Sequence, residues 1–269
     1  TFHGLAEVKF LQFLPFDRFT GASLARGRAP LWFPGAFAGT SHAGQGTSQC
    51  FYPPAWLAAL AGPLRATGPL FALHLAAGAT ALCLWLLLLG LRPAAAAAGA
   101  LCWLFSGWAW TNLHHPMVFY AGSWLFLALL GLERLARGPG RAGSWALFGA
   151  VALTTLAGFP QVGAISLGAA ALYGAALLLP PLAAGEHRRV LQLAGRFAPP
   201  VLLGLLAGLP NLLALADQAP FAWRASSTLA DLRRHALAPA HLLGLLFPEL
   251  LAPLRGVPYP SLGEVHPTY

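Results

Sequence analysis

The chain has 269 residues, 57% of them hydrophobic, with only 16 basic and eight acidic side chains and a formal net charge of +8. Soluble domains carry about 25% charged residues, so the 9% found here is too little to cover a water-facing surface, and lipid is the solvent this composition fits. The positive balance does not point to nucleic acid, because no Lys/Arg run with interleaved aromatics occurs and no nucleic-acid partner is expected.

The first residues, Thr1 onward, show neither an initiator Met nor a basic leader, and the last residues to Tyr269 are polar without a closing element. Both ends read as cut, with neighbouring helices expected beyond them. Residues 1–68 mix Trp32, Phe33, Phe51, Tyr52 and Trp56 with Gly and Pro, which predicts a folded cap or an interfacial loop. Within it, 55–64 is too short to span and is expected in the interface. Six apolar stretches follow, at 69–91, 94–113, 117–132, 144–159, 162–182 and 197–216. A span needs about 20 residues, so the third and fourth need their flanks or local thinning of the bilayer. Residues 217–269 form a second polar segment, with an interfacial stretch at 242–254 interrupted by Pro248 and Pro253. The fold class is therefore an all-α integral membrane protein, a polytopic bundle of about six transmembrane helices with a cap.

Charge orients the bundle. Arg92, then Arg134, Arg137 and Arg141, then Arg188, Arg189 and Arg196 lie in or beside alternate loops. The other loops, around His114-His115-Pro116 and Gly158-Phe159-Pro160-Gln161, hold no Lys or Arg. The positive-inside rule puts the Arg loops in the cytoplasm, and the segments 1–68 and 217–269 outside. Cys83 and Cys102 fall in apolar spans and Cys50 is alone, so neither a disulfide framework nor a zinc site is expected. No Walker A, GxGxxG, GxSxG or HExxH pattern appears, which argues against nucleotide chemistry and zinc hydrolysis.

Polar groups near membrane depth are costly and are candidates for function. On the expected outer face these are Glu7, Gln12, Asp17 and Arg18, then Asn112, His114 and His115, then Gln161, and finally Asn211, Asp217 and Gln218. Each also has a structural reading. Glu7 and Asp17 can be solvated carboxylates, His114 and His115 can satisfy a helix end, and Gln161 and Asn211 can bond carbonyls freed by the preceding prolines. His74 is the isolated polar group inside the first span, which a helix–helix hydrogen bond would satisfy.

Motifs in the same order carry a resemblance. They are Gln12-Phe13-Leu14-Pro15-Phe16, Gly27-Arg28-Ala29-Pro30-Leu31-Trp32-Phe33-Pro34 and Gln49-Cys50-Phe51-Tyr52-Pro53-Pro54, then His115-Pro116 with Leu132-Glu133-Arg134, then Gly158-Phe159-Pro160-Gln161, and Leu245-Leu246-Phe247-Pro248-Glu249. Together they resemble the bacterial YfhO-like membrane proteins, which look like glycosyltransferases of the GT-C fold. Phe33 stands where that pattern has Asn, and Phe159 where it has His.

The resemblance implies a multi-pass protein of the bacterial cytoplasmic membrane that takes a sugar from a polyprenyl-phosphate carrier. It would pass the sugar to an extracytoplasmic acceptor, whether envelope polymer, lipid or protein. The carrier-linked sugar is then the donor substrate, membrane lipid a partner, and a divalent cation compatible with the site. An early acidic residue is the implied general base. Its position falls near Glu7 or Val8, so Glu7 is the first candidate and Asp17 the second. Arg18, His114 and His115 are the candidates for phosphate or acceptor, with Gln12, Gln161 and Asn211 as further substrate-binding residues. A transporter or flippase of lipid-linked or polar solutes is the alternative, favoured by His74 and by the prolines at 160 and 210, and a non-catalytic membrane scaffold is another.

Overall fold

The computed structural model describes residues 13–36, 38–112, 115–221 and 228. Contacts divide the chain into two units, Thr1–Pro220 and Phe221–Tyr269, and the first holds every α-helix and strand described below.

Prolines set most of the helix starts. Helix α1, Leu14–Ala25, has Pro15 in its first turn beside Asp17, where a missing N–H costs nothing and a carboxylate suits the helix dipole. A short antiparallel pair follows, β1 (Trp32–Phe33) on β2 (Thr40–Ser41), with Trp32 opposite Ser41 and Phe33 opposite Thr40. Helix α2, Pro53–Ala61, opens on a proline pair and stops at Gly62. That glycine has φ +99°, a backbone state that side chains resist, and it turns the chain directly into α3, Pro63–Leu88. The first long apolar helix therefore starts at Pro63, earlier than position 69, and the expected interfacial stretch divides between α2 and its first turn.

The second apolar stretch is broken. Helix α4 runs Pro93–Leu104, and Ser106 leaves the helical path so that its Oγ accepts from the Ala109 N–H at 3.2 Å. This cap opens α5, Gly107–Thr111. Helices α6 (Pro116–Ser123) and α7 (Leu125–Arg137) join at Trp124 into one apolar run of 22 residues. Helix α8 is Arg141–Leu156, α9 is Pro160–Ala183, and α10 is His187–Gln218, followed by a 3-10 turn at Ala219–Phe221. The described part is an all-α membrane protein with four helical runs long and apolar enough to span a bilayer: Pro63–Leu88, Pro116–Arg137, Pro160–Ala183 and His187–Phe221. Helix α8, at 16 residues, is about 24 Å long at 1.5 Å per residue.

The α6–α7 run is the central one and is mostly buried, while the other three present much of their surface outward. Around it pack α3, α8 and α9, and α10 lies along α8. Exposed Ile165, Leu172, Leu191, Leu202 and Leu206 form the outer surface, as expected where lipid replaces water. Without a hydrophobic drive between helices, close packing of small residues holds such a bundle. Gly204 of α10 rests on Val151, and Gly208 of the same face rests on Thr155. Gly131 of α7 meets α8 so closely that a Cβ there would lie 2.7 Å from the Leu147 amide nitrogen.

Among the described residues one carboxylate is buried between the spans. Glu133 of α7 pairs with Arg137 at 2.9 Å and accepts the Tyr173 O–H of α9 at 2.7 Å. Tyr173 in turn accepts from Trp85 Nε1 of α3 at 3.2 Å. A carboxylate at this depth persists only when bonded, so the network ties three helices together.

Replacing Gly131 by Ala forces α7 and α8 apart and is expected to cost about 1–3 kcal/mol of stability. Gly149→Ala, where nothing lies within 4 Å of the added Cβ, is expected to be neutral or slightly stabilising. Thermal unfolding of both variants in one detergent checks the difference.

Candidate functional site

The candidate site lies at the end of the bundle opposite the arginine-bearing loops, where the first segment folds over the starts of α3, α6 and α9. Its local architecture begins with α1. Gly21 lies against the Ala59 carbonyl, so α1 and α2 cross at backbone contact, which only a residue without a side chain permits. The inner face of α1 presents Phe16 and Thr20 to the β1–β2 pair and to His42, which follows β2. There His42 is fully buried, bonded through Nε2 to Thr20 Oγ1 at 2.9 Å and boxed by the rings of Phe16, Phe19 and Phe33 at 5.2, 5.2 and 6.1 Å. Its Nδ1 is buried without a hydrogen-bond partner among the described residues. Burial lowers this imidazole from its ordinary 6.5 to about 4.

The loop after β2 docks on the bundle. Gly158, at φ +92°, sits so close that a Cβ would meet the Gly46 carbonyl at 2.7 Å and Gln49 Cγ at 3.0 Å. Gln49, itself at φ +54°, donates from Nε2 to the Ala157 carbonyl at 2.9 Å. The turn 157–160 and the loop 46–49 are thus one joint. Cys50 is buried beside it, its thiol 3.3 Å from the Pro30 carbonyl, and burial pushes that thiol up to about 12. It is a packing residue and not a nucleophile.

A polar chain then fastens the cap to the spans. Trp124 Nε1 donates to the Tyr52 oxygen at 2.9 Å, and Tyr52 in turn hydrogen-bonds His74 Nε2. His74 Nδ1 lies 2.7 Å from the Leu70 carbonyl, which can only accept, so Nδ1 carries the proton and Nε2 accepts from Tyr52. All three polar side chains are therefore satisfied. Burial also drives the Tyr52 phenol well above its ordinary range, a shift the Trp124 bond opposes. The His74 ring stacks on Tyr120 at 4.0 Å.

Tyr120 forms the floor of a small cleft together with Asp17, Gln49, Thr67 and Pro116. The cleft encloses about 20 Å³, room for about one water. The Tyr120 hydroxyl is buried there without a hydrogen-bond partner among the described residues. A partly exposed carboxylate and an unsatisfied hydroxyl thus line one cleft, each able to hold a ligand hydroxyl or a water.

The residues singled out from the sequence are distributed unevenly. Asp17 lines this cleft, and His115 sits near it, its ring 5.6 Å from that of Phe13, another cleft residue. Arg18 is exposed on α1, and Gln161 is exposed in the first turn of α9. Asn211 is buried between helices and donates to the Thr155 carbonyl of α8 at 2.7 Å, an interhelical tie. Glu7, Gln12 and His114, with the 242–254 stretch, lie outside the described residues. Among the described residues no group of three His, Cys, Asp or Glu side chains gathers to hold a metal ion. Tyr120 and Gln49 were not anticipated. Tyr120 reads as one more aromatic in an apolar span, while Gln49 opens the Gln49-Cys50-Phe51-Tyr52-Pro53-Pro54 motif without being singled out as a site residue. No protein-family model, curated protein or solved structure matches the chain.

His42 sets a pH dependence. The unfolded state takes up a proton between about pH 6.5 and 4 that the folded cap excludes, so the cap loses stability as pH falls through that window. The loss between pH 7.5 and 5 is expected to be about 2 kcal/mol. Thermal unfolding at the two pH values measures it, and His42→Gln should flatten the dependence.

Proposed function

We propose that this chain is a YfhO-like membrane protein of GT-C type that transfers a sugar from a polyprenyl-phosphate carrier to an acceptor hydroxyl on the extracytoplasmic face of a bacterial cytoplasmic membrane. The observation that carries the reading is the shared cleft of Asp17 and Tyr120 at the end of the bundle away from the arginine loops. A cleft with room for one water has room for one hydroxyl group. In this reading the acceptor hydroxyl enters beside Asp17, with the sugar donor above it.

The chemistry is a displacement at the anomeric carbon. The acceptor oxygen attacks, the bond from that carbon to the carrier phosphate breaks, and a carboxylate takes the acceptor proton. Asp17 serves as that base in the described part, with Glu7 as the other candidate. Arg18 and His115, with His114, supply positive charge or donors to the leaving phosphate, and Gln161 and Gln12 bond sugar hydroxyls. Tyr120 orients the acceptor through its hydroxyl, which has no partner among the described residues.

The same reading has the chain cross the membrane six times. The start of α6 lines the same cleft as the start of α3, while α3 ends beside Arg92. In this reading residues 93–111 travel the length of the bundle as α4 and α5. Helix α8 likewise connects the Arg137 end to the turn at 157–160. Transport drew its support from His74 and from the prolines at 160 and 210; of these, His74 has both nitrogens bonded inside the protein.

Membranes carrying the full-length protein, supplied with labelled polyprenyl-phosphate sugars, test the proposal. Wild type should transfer label, and Asp17→Asn, at equal abundance, should lose about 10²- to 10⁴-fold in rate. A dead Glu7→Gln with an active Asp17→Asn moves the base to Glu7. Wild type that inserts normally yet transfers no sugar from any donor contradicts the reading.

A further inference from the structure

We infer that the arginine end of the bundle holds a binding site for an anionic phospholipid, its phosphate gripped between α7 and the first turns of α10 and its chain laid along α9. Arg188, Gln192 and Arg196 recur at the helical spacing that places them on one face of α10, and they line a cleft of about 520 Å³ with Arg137 of α7 and Arg189. Four guanidinium groups and one carboxylate, Glu186, meet there. Two of the arginines are already paired, Arg137 with Glu133 and Arg189 with Glu186. Arg188 is exposed and pairs with no carboxylate among the described residues, and Arg196 reaches across to the Leu135 carbonyl at 3.2 Å. The cleft is thus left with surplus positive charge and many N–H donors.

Topology alone explains arginines in a loop. It does not explain a concave site shared by two helices with an apolar wall beside it. An overlapping cavity of about 430 Å³ continues from Arg137 and Arg189 along Leu177, Pro180 and Pro181 of α9. The proline pair lies inside the helix, and Leu193 belongs to both cavities. A free phosphate would use only the charged part. A phospholipid uses both, with its headgroup phosphate on the guanidiniums and an acyl chain on the leucine and proline wall. Basic pockets between helix ends at a membrane surface suit this ligand. The site lies at the opposite end of the helices from Asp17 and does not rest on the sugar-transfer reading.

The full-length protein in neutral detergent, offered phosphatidylglycerol or phosphatidylcholine and weighed intact by native mass spectrometry, tests this. Phosphatidylglycerol should be retained preferentially, and Arg188→Gln/Arg189→Gln should retain roughly tenfold less. Glu186→Gln, which frees Arg189, should retain about threefold more, a gain that misfolding cannot produce. Arg92→Gln, in a loop outside the cleft, should behave as wild type. Equal retention of the two lipids, an unaffected double variant, a loss in Glu186→Gln or an equal loss in Arg92→Gln would each overturn the site. Millimolar inorganic phosphate should leave the bound lipid in place; displacement by phosphate would assign the cleft to the free anion and overturn the lipid.

Discussion

The hydroxyl of Tyr52 joins the two parts of this molecule that carry its polar chemistry. It receives a hydrogen bond from Trp124 of the central span and gives one to His74 of α3. A buried imidazole or indole without a partner costs about 1–3 kcal/mol, so each of these groups requires the tyrosine, and the tyrosine requires the cap to be seated. Because Tyr52 immediately precedes α2, the bond fixes where that helix begins, and with it α1 at the Gly21–Ala59 crossing. Asp17 comes to lie over Tyr120 as a consequence. His74, the buried polar residue inside α3, is thus an anchor for the cap.

The two ends of the bundle are built on different physics. At the cap end, irregular loops dock on helix ends, as where the Gln49 side chain donates to the Ala157 carbonyl at the end of α8 and where Gly158 lets two loops touch. Such backbone is tolerated near a membrane only when covered by protein. At the other end, charge dominates. Glu133 and Arg137 neutralise one another, and Tyr173 and Trp85 extend the pair to two more helices. Between the ends, the contact between α8 and α10 depends on Gly204 and Gly208 with Asn211 one turn on. That arrangement combines small residues for approach with one polar tie, which suits lipid, where apolar area alone does not draw helices together.

Much of this was legible in the sequence for simple reasons. The apolar stretches were read from composition, but their starts were not: the first span was expected from 69, whereas prolines at 53, 63, 93, 116 and 160 open the helices, because a first turn needs no N–H from them. Composition and six apolar stretches marked the membrane as solvent, and four of the described helical runs are long and apolar enough to span it. The break near Ser106 was not read, because 94–113 has the length of one span with Ser106 as a lone polar residue in its middle, and the break depends on that serine capping the Ala109 N–H. Asn211 was read with the outer polar groups, yet its partner, the Thr155 carbonyl, is 56 residues away in sequence. Asp17 could be proposed from its type, but its placement with Tyr120 required the α1–α2 crossing. Tyr52 appeared only as part of an aromatic motif, since nothing local reveals that its hydroxyl meets residues 22 and 72 positions on.

The most direct measurement is hydrogen exchange of Tyr52→Phe against wild type in lipid nanodiscs. If the Tyr52 hydroxyl seats the cap, amides of residues 43–61 exchange faster by the equivalent of about 2–4 kcal/mol, while those of α8 and α10 keep their protection. If residues 43–61 exchange as in wild type, the cap is held by other contacts, and the account of how Asp17 is positioned fails.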